Sequence, residues 1–261
     1  MFKEADKTAV IEEFVNHEVT VKKVFECLNF SETLKNLEDD KKIIIKPNLL
    51  EIAPPPCTTD VRCVESIIKF IRDKNPGRDI VVIEGSGGCE TRSAFSALGY
   101  NDLEKRYDIK LIDVDNTEII KVSDRNAQAY REIYLPSIIF KGFFISVPVL
   151  KDHMMTTVTL GLKNLIGLLP KKYYGGYWSY NRSDVHRVGV NNAIFDLNLY
   201  VKIDLNLIDC SIGQYGSHLP GGRKHNPPIN KIIAGYDALE VDKAGAELLG
   251  HKYQDLKHLM L

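Results

Sequence analysis

A lysine interrupts an apolar segment in the second half of the chain. Lys163 lies within residues 158–170, which are otherwise almost wholly apolar and contain no carboxylate. Because an unpaired ammonium is costly to bury, this side chain either extends to the surface along its aliphatic part or meets an anion in a pocket. The second interpretation predicts a binding site for a small anion around Lys163 and its neighbour Asn164.

Further groups that could do chemistry follow another apolar run just upstream. Lys151 and His153 come directly after residues 142–149, and a histidine beside an electrophilic lysine could transfer protons. His186 lies in a loop rich in tyrosine and glycine that could close over a ligand. A structural role for either histidine is the alternative. The predicted catalytic residues are His153, His186 and Lys151.

Two earlier segments could contribute to the same anion site. Lys46 and Asn48 follow a short isoleucine run, with a proline of fixed φ between them. Thr58 and Thr59 precede a predicted helix, whose N-terminus offers free N–H groups to an anion. A surface turn and simple helix capping are the alternatives. The predicted substrate-binding residues are Lys46, Asn48, Thr58, Thr59, Thr157, Lys163 and Asn164.

A glycine-rich turn follows a second strand-like run. Gly85, Ser86 and Gly87 occupy a position typical of a phosphate-binding loop and are the candidates for cofactor binding, although neither established nucleotide-binding motif is present. A tight turn is the alternative. Oxygen-rich sites suit Mg²⁺ or Mn²⁺, so a divalent metal is a further option. Its candidate ligands are Asp60, Glu84, Asp209 and Asp237.

The elements that must position these residues alternate between short β-rich runs and helical patterns. This predicts an α/β fold with a mostly parallel central sheet flanked by helices, and long loops at the C-terminal edge of the strands. Four predicted strands end in polar segments, and ligands bind outside the carboxyl ends of parallel strands. The site is therefore expected at this edge, provided that these strands are parallel neighbours. The predicted strands are 43–45, 79–83, 110–114, 142–149, 204–208 and 231–234, and the clearest helices are 61–74, 190–200 and 238–249.

Composition limits the classes of function. The 261 residues predict a single domain over 1–261. A net charge of −1 gives no basic field for nucleic acid or an anionic membrane. Five scattered cysteines form no Cys-x-x-Cys pair, so no intrinsic iron–sulfur cluster is expected. The charged N-terminus and the lack of an apolar run of about 20 residues predict a cytoplasmic protein with no membrane partner.

Taken in order, these motifs resemble the domain of unknown function family 362. The resemblance covers about residues 40–250 and implies a single α/β domain with no settled activity. Many relatives carry an added ferredoxin-like module with two iron–sulfur clusters. This chain lacks the necessary cysteines, so a redox role would require a separate ferredoxin-like partner. The motifs that carry the resemblance are Lys46–Asn48, Thr58–Asp60, Val149–His153, Thr157–Gly167, His186, Asp209, Gly235–Ala238 and Leu248–Gly250.

Three functions are consistent with these observations. The first is an enzyme acting on a small anionic substrate, a carboxylate or phosphate, in a cleft lined by lysine, histidine and asparagine. The second is a non-catalytic module that binds a cofactor or metal. The third, which depends on the family resemblance alone, is an accessory subunit of a redox complex.

Overall fold

The computed structural model describes residues 9–179 and 181–260, and in this part of the chain twelve strands and ten α-helices form the fold. The strands are β1 (Val10–Glu13), β2 (Lys42–Pro47), β3 (Ile80–Glu84), β4 (Lys110–Asp113), β5 (Ile119–Ser123), β6 (Glu132–Pro136), β7 (Gly142–Val147), β8 (Val149–His153), β9 (Thr157–Val158), β10 (Leu205–Tyr215), β11 (Arg223–Lys224) and β12 (Lys231–Gly235). The helices are α1 (His17–Cys27), α2 (Phe30–Asn36), α3 (Val61–Lys74), α4 (Thr91–Ala97), α5 (Tyr100–Tyr107), α6 (Leu160–Asn164), α7 (Lys171–Tyr174), α8 (Asp184–Arg187), α9 (Val190–Tyr200) and α10 (Ala238–Leu248).

The central sheet is mostly parallel, as the sequence predicts. Its strand order is β1-β12-β10-β7-β2-β3-β4. From β10 to β4 neighbouring strands run parallel, whereas β12 and β1 are added antiparallel at one side. β5 and β6 form a separate antiparallel pair. The strands expected to carry the site are therefore parallel neighbours.

The isoleucine run of β2 shows why the sheet is covered on both faces. Ile43 and Ile45 pack into one hydrophobic cluster and Ile44 into the other, which is the alternation expected of a strand. One cluster joins the sheet to α1–α5, and the other joins it to α6, α9, α10 and the β5–β6 pair. Strands buried on both faces read as continuous apolar runs, so the sequence predicted these strands correctly.

The helix predicted over 61–74 forms as α3, and Asp60 is its N-cap. The Asp60 carboxylate accepts a hydrogen bond from the backbone N–H of Arg62 at 2.9 Å, which caps the helix. Thr59 instead donates its hydroxyl to the Val147 carbonyl at 2.7 Å and accepts from the Asn48 N–H at 2.8 Å. This threonine therefore ties the end of β2 to the end of β7.

The predicted strand 142–149 is wrong in its extent. The chain forms two strands separated by Pro148, which has no N–H for the ladder. The second strand, β8, carries Lys151 and His153, so both belong to a strand rather than to the loop after one. Likewise β10 continues to Tyr215, which places Asp209 within a strand rather than at its end.

The helix that carries Lys163 is short and is capped by a side chain from another helix. It runs from Leu160 to Asn164. The carboxylate of Asp242, on α10, accepts the backbone N–H groups of Gly161 and Leu162 at 2.7 and 2.8 Å. A carboxylate at a helix N-terminus also complements the helix dipole.

The two later helices lie close to their predicted bounds. The predicted helix 190–200 forms as α9, and α10 ends one residue before the predicted 249. After α10 the chain forms two 3₁₀ turns, Tyr253–Asp255 and Lys257–Leu259, and Leu261 lies outside the described residues. Among the helices described, none combines the length and apolar character needed to cross a bilayer.

Candidate active site

A cavity of about 380 Å³ lies beyond the carboxyl ends of β2, β3 and β8. Its other walls are formed by α6 and by residues 178–179 and 181–186, which include most of α8. The predicted site residues that line it are Asn48, Glu84, Gly85, Gly87, Lys151, His153, Lys163, Asn164 and His186. The predicted residues outside its lining are Lys46, Thr58, Thr59, Thr157, Ser86, Asp60, Asp209 and Asp237.

Lys163 faces this cavity without a counter-ion. The residue is partly exposed, and its ammonium has no hydrogen-bond or ion-pair partner within residues 9–179 and 181–260. Burial, followed by repulsion from Lys151 and Lys46, lowers the pKa of Lys163 to about 7. An anion entering the cavity would therefore meet an ammonium whose charge nothing else in the described chain neutralises.

Lys151 is a second cation without a carboxylate partner. Its side chain is buried, and its ammonium donates to the carbonyl oxygens of Cys57 at 2.7 Å and His218 at 3.4 Å. Burial lowers the pKa of Lys151 to about 8. Two neutral carbonyls hold this ammonium in place, and no carboxylate contacts it among the described residues.

The geometry of His153 fixes which nitrogen carries its proton. Its Nδ1 accepts the backbone N–H groups of Met155 at 3.1 Å and Thr156 at 3.3 Å. A nitrogen that accepts cannot carry the proton of a neutral imidazole, so the proton is on Nε2. Burial and the charge of Lys163 lower the pKa of His153. This histidine is thus a neutral hydrogen-bond donor, which does not suit the general-base role that the sequence suggested.

Two other histidines line the cavity. The ring of His218 stacks on that of His153 at 3.9 Å, and burial followed by the charge of Lys163 lowers the pKa of His218 to about 4. The ring of His186 lies 4.1 Å from the ring of Trp178, and burial lowers its pKa as well. The Nδ1 atoms of His186 and His218 are buried and have no hydrogen-bond partner in the described part of the chain.

Arg182 adds a third cation to the lining. Its guanidinium donates to the Ser86 carbonyl at 2.7 Å and to the Asp115 carboxylate at 3.1 Å. Its Nε is buried and finds no acceptor among the residues described. Arg182 therefore joins the glycine-rich turn to the wall of the cavity, and its charge is shared with Asp115.

Lys46, in contrast, lies behind the cavity in a completed hydrogen-bond set. Its ammonium donates to Glu84 at 2.6 Å, to the Pro47 carbonyl at 3.1 Å and to Asn164 Oδ1 at 3.3 Å. The Asn164 amide donates in turn to the Lys46 carbonyl at 3.0 Å and to Ser146 Oγ at 3.1 Å. These contacts give Lys46 and Asn164 a positioning role and leave Lys46 no free donor for a ligand.

Two glycines permit the close packing around this ion pair. A Cβ on Gly167 would lie 2.6 Å from the Glu84 carboxylate and 2.7 Å from the Lys46 ammonium. A Cβ on Gly85 would lie 2.1 Å from the Arg182 guanidinium. Lys163 therefore faces the cavity, and Asn164 contacts the Lys46 ammonium. The backbone of Gly167 packs directly against the Lys46–Glu84 pair.

The glycine-rich turn does not form a free phosphate cradle. The Gly85 N–H donates to the Glu84 carboxylate at 2.7 Å, and the Ser86 N–H donates to the Thr91 hydroxyl at 3.1 Å. The Ser86 side chain is buried and lies beside the Cys89 thiol. These contacts favour the alternative interpretation, a tight turn that shapes the wall.

The remaining binding candidates have local partners. The Thr58 hydroxyl donates to the Ala53 carbonyl at 2.6 Å, so this buried threonine holds its own loop. Thr157 is exposed, in the left-handed region with φ of 67°. Asn48 lines the cavity, and its Oδ1 is buried without a partner in the described ranges.

The four metal candidates do not form one cluster in the part of the chain that the structure describes. Asp60 caps α3, Asp237 caps α10, and the Glu84 carboxylate accepts from Lys46 and from the Gly85 and Leu49 N–H groups. Asp209 instead contacts His17, whose Nε2 is 3.0 Å away. The ligand atoms of Asp209, His17 and Cys63 lie within 4.8 Å of one another and all three residues are buried. Histidine and thiolate ligands suit zinc better than Mg²⁺ or Mn²⁺.

Sequence reasoning missed Arg182, His218 and Trp178. All three belong to the long irregular stretches 171–190 and 212–230, whose length and composition indicate binding loops. That signal identifies the loops, but no periodicity within them shows which side chains face inwards.

Comparison with known proteins supports the family resemblance. The family described as "Domain of unknown function (DUF362)" matches residues 43–247. A relative in Synechocystis sp., named thylakoid-associated protein sll1697, is 22% identical over 214 residues, which cover 80% of this chain. The matched region spans 63% of that relative's length.

Proposed function

The chain belongs to the DUF362 family, and from its cavity we propose that it is an enzyme acting on a small anionic substrate, a carboxylate or phosphate. The observation that carries the proposal is the presence of Lys151 and Lys163 in one cavity without a carboxylate bound to either in the described chain. The relative's name gives an association with thylakoids and no chemistry.

The charges around the cavity favour an anionic ligand. Its only acidic lining residue among those described is Glu84, and Lys46 neutralises that carboxylate at 2.6 Å. Lys151 and Lys163 are left as excess positive charge, with Arg182 shared with Asp115. Coulombic attraction is strong where protein replaces water, so one anionic group would offset much of the burial penalty of both lysines.

The uncharged groups suit orientation and proton transfer. His153 offers its Nε2–H as a donor to a ligand oxygen, and the Asn48 amide lies beside the same space. His186 is the better candidate for moving a proton, because no backbone N–H occupies its ring nitrogens in the described residues. These separate roles differ from the sequence-based prediction, which named both His153 and His186 as catalytic residues.

Ligand-dependent stabilisation tests this proposal. Inorganic phosphate and small carboxylates such as acetate and malonate are added to the protein, and the melting temperature and heat of binding are measured. A ligand that binds the folded state raises the melting temperature. Lys163→Met should abolish the shift, whereas Lys202→Met, which changes an exposed lysine, should retain it. An equal shift in wild type and Lys163→Met would contradict the proposal.

A metal-binding module is a second candidate, supported by a different part of the molecule. His17, Cys63 and Asp209 bring three ligand types together in a buried cluster. Equilibration with Zn²⁺ or Co²⁺, followed by metal analysis after gel filtration, should give about one tightly held ion per chain if the cluster binds metal. Cys63→Ser should release it, and a stoichiometry unaffected by this change would place the ion elsewhere. A separate ferredoxin-like partner stays a prediction, to be tested by copurification.

A further inference from the structure

The two cavity lysines are held in different ways. Lys151 donates to two backbone carbonyls, whereas Lys163 donates to no residue within 9–179 or 181–260. We propose that Lys163 is a nucleophile that forms an imine with the carbonyl carbon of an anionic aldehyde or ketone, and that Lys151 holds the anionic group. The inference rests on the proposed anion site and names the substrate class that this site would accept.

The surroundings of Lys163 supply the neutral amine that such a reaction needs. An amine attacks a carbonyl only when it has lost its proton, and burial together with a neighbouring cation promotes that loss. Burial and repulsion from Lys151 lower the pKa of Lys163 to about 7. At neutral pH about half of this lysine is then neutral, against roughly one in a few thousand for an ordinary lysine of pKa about 10.4.

The step balances without a further reactant. The lone pair of the neutral Nζ forms a bond to the carbonyl carbon, and the carbonyl π electrons move to oxygen. One amine proton transfers to that oxygen and gives a carbinolamine. The C–O bond then breaks as the nitrogen lone pair forms the C=N bond, and water leaves carrying both former amine hydrogens.

Neighbouring groups can assist this step. The Nε2–H of His153 can donate a hydrogen bond to the oxygen as it gains charge, and preorganised donors of this kind stabilise a transition state. Ile166 and Val190 contribute apolar surface to the same cavity, which limits hydration of the amine. Lys151, fixed by the Cys57 carbonyl at 2.7 Å, stays in place as the charge partner of the ligand.

Reductive trapping tests the inference on the whole chain. The protein is incubated at neutral pH with glyoxylate, which carries an aldehyde and a carboxylate, and cyanoborohydride, and the modified lysines are located by peptide mass spectrometry. Modification at Lys163 should be at least tenfold faster than at Lys202, whose side chain is 84% exposed. Inorganic phosphate should slow modification at Lys163 and not at Lys202.

Two variants separate nucleophile from charge partner. Lys163→Arg keeps a cation but cannot form an imine under these conditions, so it should lose the adduct and still bind phosphate. Lys151→Met should slow modification of Lys163 by glyoxylate more than modification by the uncharged propionaldehyde. If either variant does not fold, the comparison of Lys163 with Lys202 in the wild-type chain decides.

The outcomes distinguish this inference from the proposed function. If phosphate binds and Lys163 is modified no faster than Lys202, the imine is overturned and the anion site stands. If phosphate does not bind and Lys163 is not modified selectively, both are overturned. Selective modification that phosphate prevents supports both.

Discussion

Lys46 and Lys163 look alike in the sequence and differ in the structure. Each interrupts or directly follows an apolar run; the Lys46 side chain is fully buried, whereas Lys163 is partly exposed at the cavity. Lys46 has a carboxylate at 2.6 Å and two further acceptors, whereas Lys163 faces the cavity without a partner in the described chain. The first lysine has a full set of acceptors, and the second is the proposed contact for an anion.

The same contrast appears between buried acids and the cavity cations. Asp196 accepts three backbone N–H groups, from residues 128, 129 and 130, at 2.6–2.7 Å. Asp242 accepts two backbone N–H groups and the Asn206 amide. Buried polar groups are normally satisfied in this way. The lack of a carboxylate partner at Lys151 and Lys163 in the described chain is therefore a stronger sign of function than burial itself.

Removing the paired lysine should have the largest effect on stability. Lys46→Met leaves the buried Glu84 carboxylate without its cation, and breaking such a pair costs about 3–5 kcal/mol. Urea unfolding measures this loss. Adding Glu84→Gln removes the uncompensated charge and should recover at least half of it. If Lys46→Met alone changes the free energy of unfolding by less than about 1 kcal/mol, the pair contributes as little as a surface ion pair.

Removing a satisfied acid should rank next. Asp242→Ala takes the acceptor away from the Gly161 and Leu162 N–H groups and from Asn206, which should lower the free energy of unfolding by about 3 kcal/mol. Because these N–H groups begin the helix that carries Lys163, phosphate affinity should fall too. Asp242→Asn keeps the volume and one oxygen, so its loss should be smaller. Equal losses in the two variants would show that volume matters and the acceptors do not.

Removing the unpaired lysine should separate stability from binding. Lys163→Met deletes an ammonium that the described chain does not compensate, so the free energy of unfolding should stay level or rise by up to about 1 kcal/mol. Phosphate affinity should fall at least tenfold, which corresponds to about 1.4 kcal/mol. Calorimetry and urea unfolding on one preparation measure both. A loss of stability as large as that of Lys46→Met would remove the distinction between the two lysines.

The lowered lysine pKa values predict opposite pH trends for stability and binding. In the folded protein the pKa is about 7 for Lys163 and about 8 for Lys151, against about 10.4 in an unfolded chain. At these two positions the unfolded chain therefore binds more protons from about pH 7 to 10, and the contribution of the two lysines to the free energy of unfolding should rise with pH there. Phosphate affinity should fall over pH 7–9 as both ammonium groups lose their protons.

The histidines on which the charge of Lys163 acts do not titrate within this window. Burial lowers the pKa of the neighbouring histidines, so they stay neutral throughout it. Lys163→Met should flatten the stability trend, and a slope unchanged by this variant would assign the trend to other residues. The histidines in question are His153, His186, His218 and His258.

The sequence predicted the sheet better than the contacts within the site. Apolar runs identify strands because a parallel sheet is buried on both faces, and strand ends identify the edge where ligands bind. The pairing of Lys46 with Glu84 depends on β2 lying beside β3, and these residues are 38 positions apart. A single sequence does not show such a pairing, so Lys46 and Lys163 had the same prediction.

Local geometry limited the rest of the site prediction. His153 was recognised as a polar group, but its tautomer depends on the N–H groups of the turn that follows β8. Arg182 and His218 lie in loops, where no repeating pattern shows which side chains face the cavity. Asp209 was predicted at a strand end, but β10 continues beyond it and directs it towards His17.

The smallest effect is expected at Thr157, which the sequence grouped with Lys163. Thr157 is exposed, outside the cavity lining, and has φ of 67°. A β-branched residue is strained there, so Thr157→Gly should raise the free energy of unfolding by about 1 kcal/mol and leave phosphate affinity unchanged. Urea unfolding and calorimetry check the two expectations. A fall in phosphate affinity would mean that the anion site extends to β9. A residue outside the cavity lining could then still contact the ligand.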